Sequence, residues 1–400
     1  MGTLLRAPGL AAYLFGNLVS ITGSWAQRVT IYWIAWEMTG STSFLGLLAA
    51  LDLLPSVLAA PLAGAIADSR PALKFTKTVQ LLSAAPPFIM VLILMTDAVT
   101  LPILMVLTLV TGILNGLDHP LRLLLVGQVA PKGQVSGAVA LNSVVFNVGR
   151  MIGPALGGWA VSAGMPILVF GYNAATFLLF AAILTSLPRH DGDDRAPHAG
   201  SMSDGLFRWR DVLLAFDRPL ALAFAQFAII AAMIRPVFEL LPGFVDGLAT
   251  NGIDHAQAFS LLTSAQGFGA MIGALAASWL LRKCFFASVA MISGMLAVLS
   301  ELIFLGSGGF FVALAAMALL SGAVLINGIA TQVALQTQLA LHVRGRALSL
   351  YTMTFRGMPA VGALFVGATA ELFSLRVVFA SLAVLTFCVM LWIIAVRGTK

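Results

Sequence analysis

Long apolar runs, broken at intervals by short clusters of charged or turn-forming residues, dominate the chain. Twelve of them predict membrane-spanning helices, because crossing a bilayer takes about 20 apolar residues per helix. They fall near 10–36, 45–67, 78–96, 101–127, 137–163 and 166–187, then 219–245, 255–281, 285–307, 309–339, 347–372 and 374–396. Between the two sets of six lies PRHDGDDRAPHAGSMSDGLFRWRD, the one long polar segment. Its Asp, Gly, Pro and Ser content marks a flexible linker, ending in a short amphipathic stretch around Leu206 to Trp209. The expected fold class is all-α integral membrane, with twelve transmembrane helices in two six-helix bundles. Residues 1–187 form the first bundle, 188–218 the linker and 219–400 the second bundle.

A faint internal repeat supports the division. Asn115-Gly116 in the fourth span recurs as Asn327-Gly328 in the tenth. Pro154 and Gly157 in the fifth recur as Pro359 and Gly362 in the eleventh. Related halves with interrupted helices in matching places are a signature of secondary transporters, whose substrate site lies between the halves.

Composition agrees with a membrane setting. The 400 residues are 60% hydrophobic and 10% charged, against about 25% charged in a soluble domain. The net charge of +6 is loop bias and not a nucleic-acid footprint, since no polar face interleaves aromatic with basic residues. With the N-terminus inside, sixteen of the twenty-two lysines and arginines fall on inner segments, and the outer loops hold only Arg376. The positive-inside pattern therefore places both termini and the linker in the cytoplasm, the protein being multi-pass in the membrane. MGTLLRAPGL runs straight into the first span and reads as its start, not as a removable signal. Cys284 and Cys388 stand alone, without disulfide or zinc spacing. No nucleophile accompanies a base, and there is neither a phosphate loop nor a metal-ligand cluster. The expectation is no enzyme, no cofactor and no metal.

Charges inside the spans change the picture most. Each costs about 2.5–3.5 kcal/mol at a helix centre, so it should pair or line water. Arg28 and Asp52 lie nearly level, eight and seven residues from the outer ends of their spans. Asp118 and Arg122 are four apart on one helix face, as are Arg235 and Glu239. Each pair reads either as structural neutralisation or as part of transport. Arg28/Asp52 leans towards transport, because it joins two helices, and Asp118/Arg122 reads as a gate latch. Glu301 finds no partner and is placed at the outer interface. Arg150 and Arg356 are left over in corresponding spans, which suggests either an anionic ligand or bonding to carbonyls at a helix break.

Arg150 belongs to NVGRMIGPALGGW, residues 147–159. Gly149, Gly153 and Gly157 recur every fourth residue on one face and let another backbone approach closely. Pro154 removes a hydrogen bond, and Gly157-Gly158 keeps the bend pliable. The segment reads as a packed, kinked hinge.

These residues also carry a resemblance. GRMIGPALGG, residues 149–158, resembles the GxxxGPxxGG motif that antiporters of the major facilitator superfamily carry on their fifth helix. GAIADSR, residues 64–70, resembles that superfamily's loop signature between helices two and three. Gly64 and Asp68 are kept, while the later glycine and arginine pair is replaced by Pro71, Ala72 and Leu73, with Lys74 and Lys77 close by. SWAQRVTIYWIAWEMTGSTSFLGLL at 24–48, DHPLR at 118–122, ALNSVVFNVGR at 140–150 and RGRALSLY at 344–351 look like the branch of the enterobactin exporter and the macrolide efflux proteins. The resemblance implies alternating access by two rocking bundles, with helices one, four, seven and ten lining the cavity and five and eleven forming gates. It also implies that Asp68 pairs with Arg122 in the outward-facing state.

The expected function is proton-coupled export of a small amphipathic or anionic molecule, a siderophore or drug, by a monomer in the lipid bilayer. Proton-coupled uptake and lipid flipping are the alternatives. Arg28, Asp52, Arg150, Arg235, Glu239 and Arg356 are the substrate or coupling candidates. Asp68, Asp118, Arg122, Gly149, Gly153, Pro154, Gly157 and Gly158 are the gating candidates.

Overall fold

In hydrocarbon a backbone amide finds no water, so a spanning segment must satisfy its own hydrogen bonds, and helices do so. The computed structural model describes residues 7–69, 72–131, 133–187, 215–250 and 252–398, and is built accordingly. Its first seven helices are α1 (Pro8–Thr39), α2 (Thr42–Ser69), α3 (Ala72–Ser83), α4 (Ala85–Leu94), α5 (Leu101–Val129), α6 (Val135–Ser162) and α7 (Pro166–Ser186). Then come α8 (Arg218–Met233), a 3₁₀ turn (Arg235–Phe238), the short α9 (Pro242–Val245) and α10 (His255–Lys283). The last four are α11 (Phe286–Gly306), α12 (Phe310–Gln338), α13 (Leu341–Ala370) and α14 (Leu375–Gly398). Among the described residues, ten helical segments are long and apolar enough to cross a membrane. Two further long helices, α1 and α13, are more polar, and both carry arginines taken up below. Outward-facing side chains such as Leu58, Met95, Leu275 and Ile292 are apolar, as a lipid-facing surface requires.

Two expected spans hold interrupted helices, though each still supplies a segment long and apolar enough to cross a membrane. Residues 78–96 were expected as one helix, but the helix starts at Ala72 and is interrupted at Ala84. Pro86 and Pro87 lack the N–H groups that would bond back one turn. Residues 219–245 were also expected as one helix. Pro236 and Pro242 instead divide the segment into α8, the 3₁₀ turn and α9. Arg235 and Glu239 therefore do not share a regular α-helical face. Asp217 caps α8 by accepting from the Leu220 N–H, and Asp254 caps α10 by accepting from Ala256 and Gln257.

The chain divides into two compact units, Met1–Met38 with Leu51–Ala199, and Thr39–Ala50 with Gly200–Lys400. In the first, glycines set the close contacts. A Cβ on Gly149, Gly153 or Gly157 would lie 2.7 Å from Ile21 Cγ2, 2.5 Å from the Thr22 carbonyl oxygen or 2.6 Å from that of Ala26. The α6 stripe thus lies backbone to backbone on α1. Gly112 and Gly116 seat α5 on α2 at Asp52 and Ser56 in the same way.

The second unit repeats the device. Gly362 of α13 packs on Ala232 and Pro236 at the broken end of α8, so the fifth helix of each half rides on the first helix of that half. Gly269 and Gly273 seat α10 on Ala318 and Gly322 of α12. The N-terminal turns of α2 also belong to this unit. Ser41 Oγ donates to Glu371 at 2.6 Å, the Ser43 N–H to the same oxygen at 3.2 Å, and the Thr42 hydroxyl to the Gly367 carbonyl at 3.0 Å. Glu371 lies beyond the end of α13, and the hydrogen bonds from Ser41 and Ser43 hold its carboxyl below the ordinary range.

Candidate substrate site and buried polar network

Trp25 is the centre of the first cluster. The α1 backbone, seated on α6 through Gly153, turns its indole towards Arg28 of the same helix and Arg150 of α6. The two guanidinium carbons lie 5.4 and 5.2 Å from the ring centroid. Arg28 also lies 5.5 Å from the Tyr32 ring and pairs with Asp52 of α2 at 3.0 Å. Each contact over an indole is worth about 0.5–1 kcal/mol in water and about 2 when desolvated. The depth reading of Arg28 and Asp52 thus corresponds to a contact. Arg150, expected to be left over, lies against Trp25. The site accordingly offers two guanidiniums with planar donor forks, an aromatic face and a carboxylate.

Nearer the N-terminal end of α1, around Tyr13, Asn17 and Ser20, lies a second cluster, buried throughout. Arg122 Nε donates to Asp118 Oδ2 at 2.5 Å, Nη1 to Asn17 at 2.6 Å, and Nη2 to Ser20 at 2.9 Å and Gln80 at 3.1 Å. Gln80 donates in turn to Asp118, and the Tyr13 hydroxyl to the Arg122 carbonyl at 2.6 Å. Phe180 of α7 carries the guanidinium at 4.7 Å. One ion pair thereby ties α1, α3, α5 and α7 together. Asp118 and Arg122 were legible from their spacing. Asn17, Ser20, Gln80 and Tyr13 were missed, although Gln80 is a rare polar residue in an apolar run.

In the second unit Arg235 donates from Nη1 to the Phe355 carbonyl, and its guanidinium lies 4.0 Å from that ring's centroid. Phe355, Tyr351 and Phe227 stack nearly parallel, with Phe227 and Tyr351 4.8 Å apart. Arg356, next to Phe355 on α13, and Glu239, at the end of the 3₁₀ turn, are half-buried. Pro154 and Gly158 are buried on α6. The side chain of Asp68 lies outside the described residues, as do Arg70 and the linker stretch Leu206–Trp209. Glu301, expected at the outer interface, is fully buried, because α11 turns it inwards against its neighbours. Among the described residues no group of three His, Cys, Asp or Glu could hold a metal ion.

Residues 5–399 match the family described as transmembrane secretion effector, a branch of the major facilitator superfamily. The chain belongs to this family. The staphyloferrin A transporter of Staphylococcus aureus (strain NCTC 8325 / PS 47) is 22% identical over 402 residues, covering 95% of this chain and 94% of its own. An uncharacterized MFS-type transporter, YfiS of Bacillus subtilis (strain 168), is 30% identical over 183 residues, 45% of this chain and 42% of its own. Among solved structures, the nucleoside transporter NupG superposes with a TM-score of 0.75 at 16% identity, covering 98% of this chain and 100% of its own. A POT family transporter gives 0.69 at 13% identity, covering 98% and 97%. These likenesses show the major facilitator fold, twelve transmembrane helices in two six-helix bundles. The protein is a multi-pass membrane transporter, not an enzyme.

The glycine stripe yields a prediction. Gly157→Leu would drive a side chain into the Ala26 backbone and push α6 off α1 without touching a charged group of the site. Transport should fall roughly tenfold or more, about 1.4 kcal/mol in the barrier, while ligand affinity falls less. Parallel flux and binding measurements check this, and equal losses in both would point to a folding defect.

Proposed function

We propose that the transporter exports a small anionic or amphipathic molecule of the siderophore kind in exchange for protons. The observation that carries this reading is the Trp25 indole with two guanidiniums against it and Asp52 at 3.0 Å from one of them. An anionic group of the substrate meets Arg150, its aromatic or apolar part meets Trp25, and its hydroxyl or amide donors meet the ionised Asp52. A proton arriving from outside removes that acceptor and favours release, so substrate and proton exclude one another at Asp52. The siderophore class is supported by the name of the staphyloferrin A transporter and by the secretion-effector description of the family.

On this reading residues 1–187 and 219–400 alternate access to the site. The linker 188–218 and both termini lie in the cytoplasm, and a monomer works in the bacterial inner membrane. Arg235, Glu239 and Arg356 are the substrate or coupling residues of the second half. The Asp118–Arg122 network, with Asp68, and the hinge formed by Gly149, Gly153, Pro154, Gly157 and Gly158 do the gating.

The test is Arg150. Alanine removes the guanidinium's charge-assisted hydrogen bonds to an anionic group of the ligand, worth about 2 kcal/mol, so affinity for staphyloferrin A as probe should drop roughly 30-fold. Lysine keeps the charge without the planar fork, and the drop should be roughly tenfold. Neutral drugs should lose less in both variants. Calorimetry decides, and unchanged affinity in Arg150→Ala with lost transport would move the residue to the gate.

A further inference from the structure

Glu301 belongs neither to the Trp25 cluster nor to the Arg122 network. It lies on α11 five residues before the helix ends at Gly306, about 8 Å from that end at 1.5 Å per residue. The residue is fully buried, and neither carboxyl oxygen has a hydrogen-bond partner among the described residues. Ser300, just before it, is also buried with an unpartnered hydroxyl, although a helical serine ordinarily bonds back to a carbonyl one turn earlier.

Among the described residues, the surroundings supply no partner for the carboxyl. The long helices packed on α11 are α8, α10, α12 and α14, and Phe244 of the short α9, a helix without ionisable residues, packs on its Phe304. Along its whole length α12 carries no ionisable residue, and α8 carries only Arg218, at its start. On α14, Arg376 donates to the Gly247 carbonyl, Cys388 is exposed, and Arg397 lies at the far end. On α10, His255 contacts Asp246, while Arg282 and Lys283 lie at the end that leads into the start of α11. An ionised carboxylate isolated in such a place would cost several kcal/mol or more, so the group is stable there as the neutral acid.

An aromatic cluster separates this acid from the outer end of the helix. Phe304, one turn on, packs on Phe244 with ring centroids 5.3 Å apart, and Phe244 packs on Phe379 at 5.5 Å. Phe244 sits on α9, the four-residue helix that follows the broken end of α8.

We propose that Glu301 is a second proton-binding site of the transport cycle, sealed by the Phe244–Phe304–Phe379 cluster. The Glu301 O–H bond breaks when the seal parts, the proton passes to water, and the carboxylate takes up a proton again before the seal closes. The proposal rests on the proton-coupled reading above. It is distinct from that reading in using a carboxyl on a different helix and in the other unit.

Difference infrared spectroscopy on the full chain in lipid vesicles tests it. At neutral pH the wild type should show a carboxylic-acid C=O band that Glu301→Gln lacks. In D₂O the band should exchange, and Phe244→Ala should speed that exchange at least tenfold. Glu301→Gln should also flatten the pH profile of staphyloferrin A exchange measured without a gradient. Absence of a wild-type band that Glu301→Gln removes would overturn the proposal. So would a band whose exchange Phe244→Ala leaves unchanged, or a pH profile that Glu301→Gln leaves unaltered. If the band, its exchange and the profile behave as expected but the wild type moves no substrate against a proton gradient, the proton site stands and the exchange reading of Asp52 falls.

Discussion

Asp52→Asn is expected to reduce proton-driven transport to background while the protein still inserts and folds. The amide occupies the same volume, so the seat of Gly112 on the Asp52 backbone is kept. What disappears is a charge 3.0 Å from Arg28 that a proton can cancel. Exchange of labelled for unlabelled substrate, which needs the conformational cycle but no net proton movement, should survive at a substantial fraction of the wild-type rate. Retained flux under a pH gradient would show that coupling resides elsewhere. Loss of exchange together with flux would show that the ion pair holds the site in shape.

Arg122→Ala should have the largest effect on stability. The guanidinium is the donor for Asp118, Asn17, Ser20 and Gln80 and rests on Phe180. Truncation leaves the buried Asp118 with Gln80 alone, and breaking a buried pair from one side costs about 3–5 kcal/mol. Thermal unfolding in detergent should show the drop. The double replacement Arg122→Met with Asp118→Leu should recover much of it, because no charge is then left unpaired. Recovered stability without recovered transport would assign the pair to gating. Recovery of both would make it a structural tie.

How much of this was legible in the sequence depended on whether the physics was local. The apolar spans and the four-residue spacing of Asp118 and Arg122 are properties of one stretch of chain, and both could be read. Arg28 and Asp52 could be matched across two helices because depth in a bilayer acts as a shared coordinate. The breaks at Ala84 and after Met233 were hidden, because apolar residues continue through them and hydropathy does not register missing N–H groups. The Pro86-Pro87 pair and Pro236 with Pro242 were the available signals. Trp25 was missed as the partner of Arg150 because the contact depends on how α6 rotates on α1, which the glycine stripe sets through Gly153. Glu301 looked interfacial because its distance from the helix end was readable and its facing was not. The link from Ser41 and Ser43 to Glu371 joins residues more than 320 apart, and no local pattern announces it.

The exchange of substrate for protons is the central claim, and the sign of its coupling tests it most directly. Proteoliposomes loaded with staphyloferrin A, and in parallel with a lipid and a drug, are given an inward or an outward proton gradient while flux and internal pH are followed together. The account predicts that the siderophore moves opposite to the protons, with internal acidification that depends on its exit and that vanishes in Asp52→Asn. Movement of siderophore and protons in the same direction, or siderophore flux indifferent to the gradient, would contradict it.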